Sequence, residues 1–277
     1  MFSAMKQFIS GAQILFVAFG ALVLVPLLTG LNPAMALLGA GVGTLMFQWL
    51  TGRQVPIFLG SSFAFIGPII FAMQTWGQAA TQFGLFFAGA MYFIIAGLIR
   101  WRGMGFIHRL LPPVVIGPVI MVIGLSVAVA ASGMAMGQGG GKQLVPYETS
   151  LFLAALALTT TIIVSVFAGG MLRLVPILSG VVVAYVAAML LGVVDLAAIA
   201  AAPWFAMPHF VTPEVNWAAA LFMLPVAIAP TIEHIGAVMA VCKVTGDDYT
   251  VKPGLHRTLA GDGVGVCFAG LIGGPPI

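Results

Sequence analysis

Charge is what this chain has least of. Only 6% of its 277 residues are Asp, Glu, Lys or Arg, where soluble domains carry about 25%. So few charges cannot cover a water-facing surface, which excludes an ordinary soluble enzyme or nucleic-acid-binding module. The ten basic residues are scattered near the ends of apolar runs, so the net charge of +3 describes no basic patch for nucleic acid. Cysteine is scarce too. Cys242 and Cys267 form no disulfide framework and lack metal-ligand spacing. There is no Walker loop, no zinc signature and no placed nucleophile–base pair, and no cofactor is expected. Strand-period alternation is also missing, which argues against a barrel.

What is present is apolar. Hydrophobic residues make up 61% of the chain and the mean hydropathy is +1.16. The pattern predicts an all-α polytopic protein of the cell (inner) membrane, with the bilayer as its main partner. Nine apolar segments stand out, at about 9–29, 33–51, 55–74, 82–100, 112–132, 149–169, 173–194, 216–242 and 254–273. The first is longer than a signal-peptide core and is followed by more spans, so it reads as a membrane helix. With the N-terminus in the cytoplasm, Lys6, Arg53, Arg100, Arg102, Arg109, Arg173, Lys243, Lys252 and Arg257 fall inside and only Lys142 outside. That asymmetry follows the positive-inside rule. Trp76, Trp204 and Trp217 then lie near outer ends, and Trp49 and Trp101 near inner ends.

The third segment is not a plain helix in sequence. Pro56 and the β-prone residues after it resist helix, whereas Gly60-Ser61-Ser62 read as a helix start with a hydroxyl for capping. A short extended stretch followed by a half-helix is expected, the alternative being a proline-kinked helix. Irregular backbone at membrane depth persists only against protein or a wet cavity, and a half-helix N-terminus offers free N–H groups to a ligand. Phe63, directly after the start, offers a ring for a planar ligand or for packing. Gly39, Gly41 and Gly43 form a small-residue stripe suited to a close helix contact.

Glu233 is the most informative residue. It sits inside the eighth segment, where a carboxylate costs about 2.5–3.5 kcal/mol on insertion scales, so it should face a cavity, pair with a base or carry a proton. His234 points about 100° away from it on a helix and reads first as a packed, hydrogen-bonded side chain. Asp262, in Gly261-Asp262-Gly263, suits a cavity or a structural role equally. Asp247 and Asp248 read as a solvated loop, and His108, His209 and His256 lie near span ends.

At these residues the chain resembles the nucleobase–ascorbate transporter family, and within it bacterial uracil permeases. The most specific pieces are Phe19-Gly20-Ala21-Leu22-Val23-Leu24-Val25-Pro26, Leu59-Gly60-Ser61-Ser62-Phe63-Ala64-Phe65-Ile66, Glu233-His234-Ile235-Gly236 and Pro253-Gly254-Leu255-His256-Arg257. The resemblance implies fourteen spans in two inverted repeats of seven, with spans three and ten each a short strand plus a half-helix. It implies core-domain spans 1–4 over residues 1–110, gate-domain spans 5–7 over 111–195 and an outer loop over 196–215. Core spans 8 and 9 over 216–277 would open the second repeat. It further implies proton-coupled uptake of uracil or a xanthine-like base, with sodium as the other conceivable coupling ion, and a homodimer. Glu233, Phe63, Ala64 and Ser62 would bind substrate, and Glu233, with His234 and Asp262 as further candidates, would couple the proton.

Two departures bear on that expectation. Uracil permeases commonly carry a histidine one turn after the glutamate, and here that position is Ala237. The chain also ends at Gly273-Gly274-Pro275-Pro276-Ile277, where the tenth span would begin, and so reads as C-terminally truncated. Two other readings stay open: a same-fold anion carrier, which would rely on half-helix dipoles without a central carboxylate, and a non-transporting fragment completed by a second chain.

Overall fold

The computed structural model describes residues 18, 20–103, 105, 113–139, 142–169, 172, 176–201, 203, 207–208 and 210–277. The opening of the first segment lies outside these residues. So do Lys6, Phe19, His108, Arg109, Arg173, Trp204 and His209.

Helix dominates the described residues. Helix α1 spans Gly20–Thr29, and Gly30 follows it at φ 79°. Helix α2 spans Pro33–Leu50, with Pro33 in its first turn and Asn32 capping the Ala34 N–H through its side chain. Helix α3, Ile66–Arg102, is entered through a 3₁₀ turn at Phe63–Phe65 and breaks at Gly77 (φ 81°, ψ 175°). The third and fourth apolar segments therefore join through one glycine rather than a loop, in a conformation that a Cβ would forbid. Helix α4 covers Pro113–Ala135 and α5 covers Tyr147–Phe167. Between them, Gln138–Gly139 pairs antiparallel with Lys142–Gln143 in a small hairpin that the hydropathy pattern did not mark. Helices α6 (Pro176–Leu190) and α7 (Leu196–Ala201) follow.

The eighth segment divides into α8, Trp217–Val226, and α9, Ile228–Thr245. Pro225 and Pro230 explain the division. Pro230 has no N–H for the Val226 carbonyl, and its ring crowds that carbonyl. Helix α10, Leu255–Ile272, closes the series. Four stretches of the described residues are long and apolar enough to cross a membrane: Pro33–Leu50, Phe63–Arg102, Tyr147–Phe167 and Trp217–Thr245.

The chain forms two compact units, one containing Val127–Met207 and the other Ala21–Ser126 with Pro208–Ile277. In the first unit α5 packs on α6, where Gly180 faces the Ala157 carbonyl and Thr161. In the second, α10 packs against both α2 and α3, and α8 packs against α3.

Glycine makes these contacts close. A Cβ on Gly89 would lie 2.7 Å from the Cys267 nitrogen, one on Gly270 2.7 Å from the Phe86 nitrogen, and one on Gly84 2.8 Å from the Ala219 oxygen. Gly39 faces Ala269, and Gly43 faces Gly265 and Ile277, but nothing lies within 4 Å of a Cβ on Gly41. The stripe on α2 is thus Gly39 and Gly43 alone, since positions four apart share a helix face and the residue between them points elsewhere. Lipid supplies no hydrophobic force between helices, so such backbone-to-backbone packing carries much of their association.

Candidate substrate site

Residues 56–62, between α2 and the 3₁₀ turn, are not helical. Helix α2 meets several polar groups here. The Gln48 amide donates to the carbonyls of Val55 (2.8 Å) and Ile57 (3.0 Å), and the Leu59 N–H donates to Thr44 Oγ1 (3.0 Å). The Ser62 N–H donates to the Pro276 carbonyl at 3.0 Å. That backbone bond stands where a strand was expected. Among the described residues no β-ladder is formed at this segment. Ser62 has extended backbone (φ −79°, ψ 121°) just before the helix, but its side chain makes no capping hydrogen bond. The Ser61 and Ser62 hydroxyls are buried without a protein partner among the described residues.

Three helices meet this segment. Helix α3 brings Tyr92, α9 brings Glu233, His234 and Ala237, and α10 brings Asp262. With Gly60, Ser61, Ser62, Phe63 and Ile277 they line a cavity of about 250 Å³. Pockets for drug-sized ligands start near 300 Å³, so this one suits a smaller ligand. No Lys or Arg is among the lining residues. His234 Nδ1 lies 2.8 Å from Asp262 Oδ2, and both residues are buried. The Phe47 ring meets the imidazole edge-on at 6.2 Å.

The structure therefore brings Glu233, Phe63, Ser62, His234 and Asp262 together. Ala64 lies in the 3₁₀ turn beside Phe63 but does not line the cavity. Glu233 and His234 both line the hollow, and His234 also reaches Asp262 on α10 through Nδ1. Sequence reasoning missed Tyr92 and the anchoring role of Gln48. Each left a faint signal: a phenol or an amide inside an otherwise apolar run needs a polar destination. Cys242 and Cys267 are both free thiols, and no cluster of metal-ligating residues occurs among the described residues.

The match to known proteins decides the family. The family model described as "Permease family" matches residues 5–277. The chain belongs to that family. It is accordingly an integral membrane protein, from a family of permeases rather than enzymes. It is 51% identical over 271 residues to a probable uracil permease of Pasteurella multocida, covering 98% of this chain and 64% of that protein. It is 50% identical over 274 residues to a probable uracil permease of Haemophilus influenzae, covering 99% of this chain and 66% of that one. A uracil permease of Bacillus caldolyticus is 48% identical over 271 residues, with 95% and 62% covered. The chain thus spans somewhat under two thirds of the length of these relatives.

Proposed function

We propose that this protein takes up a nucleobase, uracil or a xanthine-like base, across the inner membrane together with a proton. The observation that carries this reading is the Glu233 carboxylate at a small cavity beside the helix start at Phe63. An acidic group within a membrane span is a substrate or proton site by default. A carboxylate accepts the ring N–H groups of a nucleobase. The Phe63 ring stacks on its face, worth about 1–3 kcal/mol by analogy with base stacking. The Ser62 hydroxyl, which lines the cavity without a protein partner among the described residues, donates to an exocyclic carbonyl. The names of the relatives support the same substrate class.

In this reading residues 55–74 form a broken span, with the irregular stretch at membrane depth, opening a half-helix toward substrate. Residues 1–110 and 216–277 contribute to a core domain, and 111–195 to a gate domain, of a seven-plus-seven inverted repeat. The N-terminus is cytoplasmic, and the working unit is a homodimer. A same-fold anion carrier fits less well, because the lining carries acids and no Lys or Arg.

The test uses membranes containing the protein expressed from its own gene. Labelled uracil or xanthine should accumulate, and a protonophore should collapse the accumulation. Glu233→Gln should remove specific uptake at unchanged protein level. Uptake equal to that of the unaltered protein would take Glu233 out of the mechanism.

A further inference from the structure

On the basis of the carrier function above, we propose that the coupling proton is held by His234, with Asp262 positioning the imidazole, and that Glu233 is left to hold the base.

The geometry separates the two tasks. Glu233 and His234 are neighbours on α9, so their side chains diverge by about 100°. His234 is directed to α10, where Asp262 Oδ2 lies 2.8 Å from Nδ1. A carboxylate on one ring nitrogen fixes the tautomer and leaves the other nitrogen to gain or lose a proton. That other nitrogen, Nε2, is buried and has no protein partner among the described residues, and the same is true of Asp262 Oδ1. A pair kept only for structure would be expected to satisfy both, because unmet buried polar atoms are costly.

Charge gives the pair its role. His234 contacts Asp262 of α10 and the Phe47 ring of α2, and it shares its cavity with Glu233 of α9, Tyr92 of α3 and Ser61 of the extended segment. No Lys or Arg lines the cavity to offset the two carboxylates. A proton from water adds to the Nε2 lone pair and makes an imidazolium–carboxylate pair of zero net charge. Its loss to water on the other side restores the neutral imidazole beside Asp262. A nucleobase brings no charge of its own, so the proton on the imidazole decides whether the pair in the loaded site is neutral or negative. The proton then travels with the base.

His234→Asn separates this role from a structural one. The Asn amide can still donate toward Asp262 but does not titrate. In right-side-out vesicles with an inward gradient of one pH unit, a one-proton carrier can sustain about tenfold uracil accumulation. The unaltered protein should approach that value. His234→Asn should fall to no accumulation while still exchanging external for internal labelled uracil, and Asp262→Asn should weaken accumulation in the same direction. Gradient-driven accumulation by His234→Asn at the unaltered level would overturn the proposal. An unaltered protein that neither binds nor exchanges uracil would instead overturn the carrier function, and the proposal with it.

A second measurement covers a variant that does not fold. The chain has four histidines. Replacing His108, His209 and His256 by Asn leaves His234 as the only imidazole. Its nitrogen-15 resonances should report a charged ring in the uracil-loaded state. A ring that stays neutral with and without uracil down to pH 5 would also overturn the assignment.

Discussion

Gly270→Ala tests whether backbone contact between α10 and α3 holds the site-bearing unit together. The new Cβ would meet three backbone atoms, Phe86 N at 2.7 Å, Phe86 Cα at 3.1 Å and Leu85 C at 3.2 Å, where ordinary contact begins at 3.4 Å. Backbone atoms in a packed helix cannot turn aside as a side chain can, so the helices must part by a few tenths of an ångström or more. Overpacking of this kind costs about 1–3 kcal/mol. Alanine also favours helix over glycine by about 0.8–1 kcal/mol, which would mask part of the loss. Gly97→Ala on α3 supplies the control, because nothing lies within 4 Å of its Cβ. The propensity gain is common to both variants, so the difference between them isolates the steric cost. At roughly 2–4 °C per kcal/mol, Gly270→Ala should unfold about 2–12 °C below Gly97→Ala in detergent micelles, followed by circular dichroism. Equal midpoints would refute the close approach of α10 and α3.

Gln48→Leu should leave the Val55 and Ile57 carbonyls without their donor and cost about 1–3 kcal/mol, read as a lower unfolding midpoint with weaker uracil binding. An unchanged midpoint would mean that α2 does not anchor the extended segment. Asn32→Ala removes the cap on Ala34 N–H and should cost about 1 kcal/mol while leaving uracil affinity unchanged. At the loop after α9, the Thr250 hydroxyl and N–H donate to Asp248 and hold its carboxyl below the usual aspartate range. A lowered carboxyl stabilises the folded turn above the ordinary aspartate value near 3.9 and loses that contribution as the pH falls through its own lower value. Protection of the Thr250 amide from hydrogen exchange should therefore decline below about pH 4, and Asp248→Asn should show no such decline.

The sequence alone determined that this is a helical membrane protein, where its apolar helices run, and that Glu233 is out of place among apolar neighbours. Those features are local. Hydropathy is written in consecutive residues, proline and glycine act on their own peptide units, and a carboxylate in an apolar helix is conspicuous without knowing its neighbours. The irregular stretch after Pro56 was legible for the same reason, since Pro56 and Gly60-Ser61-Ser62 mark its ends. Tertiary structure alone decided what those residues touch. It turned His234 onto Asp262 of another helix, placed Tyr92 at the cavity, and met the carbonyls of Val55 and Ile57 with the Gln48 amide. It also kept Gly39 and Gly43 in the α10 contact and left Gly41 out. Such pairings depend on which helix faces pack and at what depth, which no periodicity within one segment specifies.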